Sequence, residues 1–142
     1  MALVADLNAQ LIAAAQRVLR PHRVGDRLFG DVAAALVTDT GNHFVGVCID
    51  TASGTGFCAE HSAIASMVTA GEYRIAAIVA VWQDENGRLC VLPPCGRCRE
   101  FIRQVDPANL NTTVVLGTHR TALLRELLPE HEWPEPEPLA ED

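Results

Sequence analysis

Two short segments carry the residue types that could do chemistry. One is "FCAEH" at 57–61, the other "PPCGRC" at 93–98. Taken alone, Cys95 and Cys98 fit half of a structural zinc clasp, a redox pair or part of a catalytic metal site. Cys58 shifts the balance. Both segments read as helix starts, where backbone N–H groups and the helix dipole favour the thiolate that binds metal. Three thiolates would leave the fourth tetrahedral position of a zinc ion to water, the arrangement of a catalytic rather than a structural site. Their charges would leave zinc with a net −1, which two helix N-termini and the neighbouring Arg97 and Arg99 would offset. Glu60 follows Cys58 by two residues, so in a first helical turn it stays near the metal without ligating it. From there it can take a proton from water and pass it to a substrate nitrogen. His61 is the one neighbour that would complete a four-ligand structural site, but directly after Glu60 it more readily faces away.

These segments need elements to hold them. "MALVADLNAQLIAAAQRVLR" reads as an amphipathic helix with Leu3, Leu7, Leu11, Ala14 and Val18 on one stripe. "RPHRVGDRLFG" reads as a connector, and "DVAAALVTDTGNHFVGVCID" as two strands joined by a turn at 39–42 with Gly41 in the tight position. A loop, "TASGTGF", leads into a helix from Cys58 to Gly71 whose apolar stripe includes Ala63, Ile64, Met67 and Val68. "RIAAIVAVW" is a continuous apolar run, the mark of a central strand covered on both faces. "CGRCREFIRQV" reads as a helix stopped by Asp106–Pro107, "TTVVLGT" as a strand and "TALLRELL" as a last helix. Cys48 and Cys90 fall in strand-like runs and are most simply buried thiols. The alternation predicts a three-layer α/β/α domain with a mixed sheet of about five strands. Residues 1–130 are expected to form this single domain, and 131–142 an acidic, Pro/Glu-rich tail.

Composition narrows the classes of function. The chain has 142 residues, 49% of them hydrophobic, enough for one packed core. Its net charge of −7 makes it a poor holder of nucleic-acid phosphates. No apolar run is long enough to span a membrane. The N-terminus lacks the basic region and apolar block of a secretory leader, so the expectation is a cytoplasmic protein whose five cysteines are thiols or metal ligands.

Cys-Ala-Glu followed by Pro-Cys-x-x-Cys is the three-cysteine form of the zinc deaminase pattern. Through Cys58, Ala59, Glu60, Pro94, Cys95, Gly96, Cys98 and Arg99 the chain resembles the small, single-domain branch of the cytidine deaminase family. Arg97, within "PCGRCR", is similar to the blasticidin-S deaminases of that branch, and "RELLP" at 125–129 recurs in both groups. The resemblance implies one Zn2+ held by Cys58, Cys95 and Cys98, and Glu60 as the proton carrier in replacing the C4 amine of a cytosine ring by a carbonyl. It implies that the Ala59 N–H contacts the base and that the protein is a homo-oligomer, a tetramer by family analogy. Trp133 would then cover a neighbouring subunit's pocket. Cys48 and Asp50 stand where the family grips ribose with Asn-x-Glu. Asp50 keeps an acceptor on a shorter arm, whereas Cys48 is a weak hydrogen-bonding partner. The family's base-stacking Phe falls on Gly30, with Phe29 one place early.

Three readings follow: a hydrolytic deaminase of a nucleoside or related small aminated heterocycle, a structural zinc module, and an editing deaminase acting on nucleic acid. The first is favoured. The second needs a fourth protein ligand, and the third a basic, aromatic groove that the sequence does not show.

Overall fold

A computed structural model describes residues 2–140, with side chains from Asp6 onward. Helix α1 (Ala2–Val18) is followed by a small hairpin, β1 (His22–Val24) and β2 (Arg27–Phe29). Strands β3 (Val32–Thr38) and β4 (His43–Val47) precede helix α2 (Ala59–Thr69), then β5 (Ile75–Gln83) and β6 (Leu89–Leu92). Helix α3 (Gly96–Val105), a 3₁₀ turn at Pro107–Asn111, β7 (Thr113–Gly117), β8 (Arg120–Leu123) and the one-turn α4 (Leu124–Leu127) complete the chain.

The sheet is mixed and has six strands, one more than expected. It runs β4-β3-β5-β7-β8, with β6 also paired to β5. β3 lies antiparallel to β5 along its length, Ala34 opposite Ala80. On its other edge β5 takes two partners: β7, parallel at Ala77 and Ile78, and β6, antiparallel from Ala80 to Gln83. Strand period does the rest. Ala34, Leu36 and Ile78 face α2 and α3, packing with Ala63, Ile64, Met67 and Ile102. Ala33, Ala35, Val37, Ala77, Val79 and Val81 face α1, packing with Leu11, Ala14 and Ala15. Side chains on a strand alternate faces, so one apolar run feeds two cores, and α/β/α layering results.

Three more sequence expectations change. The connector after α1 is the β1–β2 hairpin, turned at Gly25 (φ +61°). "TALLRELL" is helical only in its second half: Thr113 pairs with Leu123 and Val115 with Thr121, so the open sheet edge wins over local helix propensity. Val68 is 37% exposed and leaves the stripe of α2. On α1, Leu11 and Ala14 are buried and Leu7 and Val18 pack against that core, while the side chain of Leu3 lies outside the described residues. No helix among the described residues is long and apolar enough to cross a membrane.

Candidate active site

Two helix starts are brought together by close packing. Cys58 is the N-cap of α2 and Cys95 the N-cap of α3. Gly46 of β4 is what lets α2 approach: a Cβ there would stand 2.4 Å from Cβ of Ser62 and 2.5 Å from the Ala63 nitrogen. Ser62 Oγ then donates to the Val47 carbonyl at 2.7 Å, locking helix to strand. On the other side the chain leaves β6 at Leu92, opposite Ala80, and two prolines steer it into α3. Arg99 fastens that corner. Its Nε donates to the Pro94 carbonyl at 2.8 Å and its Nη1 to the Leu127 carbonyl at 3.0 Å. This guanidinium, expected to offset thiolate charge, instead ties the "RELLP" helix to the cysteine loop.

The result is a cluster of three thiols. Cys58 Sγ lies 3.6 Å from Cys95 Sγ, which lies 3.5 Å from Cys98 Sγ, and all three fall within 4.8 Å of one another. Thiolates bound to one zinc ion at about 2.3 Å with tetrahedral angles stand about 3.8 Å apart, so the set fits that metal. All five cysteines are free thiols. His61 is not part of the cluster. Its Nδ1 sits 3.6 Å from Cys98 Sγ at hydrogen-bonding distance, and its ring stacks on Phe101 with centroids 4.2 Å apart and planes 11° apart. It therefore braces a thiol rather than supplying a fourth ligand.

Burial sets the protonation tendencies of these groups. Glu60 is 5% exposed, and burial pushes its carboxyl above the ordinary range against hydrogen bonds from its own N–H and from Cys98. Burial likewise raises the Cys58 thiol, helped by Cys95, and raises Cys98, helped by the Glu60 charge. At Cys95 burial is outweighed by hydrogen bonds from the backbone N–H groups of Cys98 and Arg97 and from the flanking thiols, and the pKa falls. A helix start thus ionises the outermost thiol most readily.

The thiols open onto a cavity of about 420 Å³, within the range of small-molecule sites. Ala59, Glu60, Cys95, Cys48 and Asp50 all line it, so five of the expected site residues converge there with Cys58. Cys98 lies behind, fully buried. Two expected residues are elsewhere. Phe29 sits on β2, paired with His22 and away from the cavity wall. Trp133 is 92% exposed in the segment after α4. Two others were not anticipated. Phe57, held by a two-way backbone bridge to Ile49, supplies the aromatic wall that Phe29 does not. Asp31 reaches the cavity because the Cys48 N–H donates to the Val32 carbonyl, setting the start of β3 beside the end of β4. Neither had a sequence signal beyond its neighbours: both depend on pairing between distant segments.

A protein-family model for the cytidine and deoxycytidylate deaminase zinc-binding region matches residues 8–114, a span that holds the larger part of α1, the sheet through the start of β7, and both cysteine segments. A blasticidin-S deaminase from Bacillus cereus is 36% identical over 103 residues, covering 69% of this chain and 74% of that protein. Among solved structures, a cytidine deaminase from Burkholderia pseudomallei superimposes with a TM-score of 0.69 at 32% identity, covering 86% of this chain and 96% of that one. One from Mycobacterium tuberculosis gives 0.68 at 27%, covering 86% and 94%. With the fold, the thiol geometry and the sequence all pointing the same way, the chain belongs to the cytidine deaminase family and is a zinc-dependent hydrolase of C–N bonds.

Proposed function

We propose that the protein removes the 4-amino group of a cytosine nucleoside or nucleoside-like small molecule as ammonia, with Cys58, Cys95 and Cys98 as zinc ligands and Glu60 as the proton carrier. The observation that carries this reading is a buried carboxylate, Glu60, on the wall of a small-molecule cavity beside a three-thiol cluster. Zinc, when bound by those thiolates, supplies Lewis-acid activation of water at near-neutral pH. Glu60 accepts the proton that water gives up and delivers it to ring N3 as oxygen adds at C4; it then takes the proton of the added hydroxyl and carries it to the C4 amine, which leaves as ammonia as the carbonyl forms. The Ala59 N–H holds the base edge, and Phe57 offers a ring face at the cavity wall. Cys48 and Asp50 face whatever substituent the base carries. Substituting Glu60→Gln keeps the shape and removes the proton carrier. Turnover should fall by roughly 10²–10⁴-fold with zinc still bound; wild-type rates with a full complement of zinc would refute the role of Glu60.

Within this reading a blasticidin-S-type substrate is the second candidate, favoured by Arg97 in "PCGRC" and by Cys48 and Asp50 in place of a ribose-gripping pair. A structural zinc module is disfavoured because His61 is engaged with Cys98 and Phe101. The proposal also includes a catalytic domain at 1–130 with a tail at 131–142, a small-molecule rather than nucleic-acid or membrane partner, a cytoplasmic setting and a homotetramer. In that tetramer the exposed Trp133 caps the cavity of a neighbouring copy.

A further inference from the structure

Cys98 is the one thiol of the cluster with no exposed surface, so a thiolate there depends wholly on protein donors. Most of its neighbours are poor at that task. The Cys95 and Cys58 thiols and the Glu60 carboxyl stand around it, and each adds negative charge once ionised. The two nearby arginines are engaged elsewhere, Arg99 on the Pro94 and Leu127 carbonyls and Arg97 on the Gly56 carbonyl at 3.2 Å. Cys95, by contrast, takes the backbone N–H groups of Cys98 and Arg97. Among the described residues, His61 is the one whose side-chain nitrogen comes within hydrogen-bonding distance of the Cys98 sulfur, Nδ1 to Sγ at 3.6 Å. Its placement is built into both helices. Cys98 and Phe101 lie three apart on α3, so the face that supplies the thiol also supplies the ring on which His61 stacks. The Phe57 ring stands 6.3 Å from it, and its backbone N–H donates to the Cys58 carbonyl at 3.0 Å in the first turn of α2.

We propose that His61 is a positioning residue of the metal site: its Nδ1–H donates to the Cys98 sulfur, fixes that sulfur in place and withdraws part of the charge that three thiolates put on one divalent ion. This deepens the deaminase reading and rests on its ligand set. A thiolate ligand has no proton to give and can only accept, so the shared proton sits on Nδ1. A hydrogen bond to an ionised sulfur is charge-assisted and stronger than one between neutral groups. It lowers the electron density that the sulfur passes on, and so keeps an anionic ligand set from weakening the Lewis acidity of the ion it holds. The stacked ring is already immobilised on Phe101, so the bond forms with little further loss of rotamer freedom.

The test loads the protein with cobalt(II), whose sulfur-to-metal charge-transfer band moves to higher energy when a thiolate accepts a hydrogen bond. His61→Phe keeps a ring on Phe101 and removes the donor. His61→Asn and His61→Leu form a second pair of nearly equal size, of which only the first carries an N–H close to where Nδ1 stands. In His61→Phe and His61→Leu the band should move to longer wavelength, and zinc should be held roughly 10–100-fold more weakly against a competing chelator. His61→Asn should return both readings toward the parent, although it loses the stack. A role in packing alone gives the other order, with His61→Phe like the parent and His61→Asn as impaired as His61→Leu, and that result overturns the proposal. An unmoved band in both His61→Phe and His61→Leu overturns it as well. Ammonia release by the zinc-loaded parent separates the two layers. If the band moves as expected but no compound releases ammonia, the role of His61 stands and the deaminase reading falls. If ammonia is released while the band stays in place, the role of His61 alone falls, and a parent that binds no metal contradicts both.

Discussion

Glu60 and His61 are adjacent in sequence and serve opposite sides of the thiol cluster, one facing the cavity and the other stacked on Phe101 behind Cys98. The three thiols are the proposed zinc ligands, so replacing any one by Ala should reduce bound zinc from one per chain to near zero, read by metal analysis after dialysis. Retention of stoichiometric zinc by Cys98→Ala would contradict the ligand set. Cys48 behaves differently. Burial, with the two aspartates adding to it, raises its thiol from an ordinary 9.0 to about 11. Since the folded pKa is the higher one, the stability this thiol contributes is intact below pH 9 and is lost as pH climbs to about 11. Denaturation midpoints of Cys48→Ala should therefore decline less steeply than those of the parent across that window; parallel curves would remove the basis for a protonated Cys48. The thiols and Glu60 were readable because they sit in two local patterns. Asp31 was not, because its place beside Cys48 comes from the pairing of β3 with β4, and Phe29 stands on the short β1–β2 hairpin opposite His22, outside the cavity lining.

At the level of elements, the site depends on how closely α2 approaches β4 and how α3 is tied at its start. Gly46→Ala would drive a methyl into Ser62 and Ala63. It should cost about 1–3 kcal/mol in unfolding free energy and displace Cys58 enough to weaken zinc retention. An unaltered denaturation midpoint would show that helix and strand can separate cheaply. Arg99→Ala removes two bonds to backbone carbonyls and should cost roughly 2 kcal/mol, recovered only in part by Lys, which lacks the forked donor geometry. The long elements were legible from periodicity: β5 as an unbroken apolar run, α2 and α3 from their start and stop residues. The short ones were not. β1, β2 and β8 are three or four residues each, and their pairing, not their composition, makes them strands.

For the molecule as a whole, one sheet with helices on both faces leaves the thiol cluster partly open to solvent, with Cys95 exposed. Metal should therefore be removable by chelator, and its loss should lower the melting temperature by roughly 5–10 °C, since a ligand that binds only the folded state stabilises it. The proposed assembly predicts a mass in light scattering of four times the 15.3 kDa chain. The layering and the zinc chemistry were visible in the sequence, but the parts of the cavity wall formed by Asp31 and Phe57 emerged only when distant segments paired. The central claim is hydrolytic removal of an amine, and the most direct measurement is ammonia release by the zinc-loaded protein. The panel is cytidine, deoxycytidine, blasticidin S and free cytosine, run in ¹⁸O-labelled water. The account predicts stoichiometric ammonia and one ¹⁸O in the 4-carbonyl of at least one nucleoside product. Neither ammonia nor label from any compound, with zinc bound at one per chain, would contradict it.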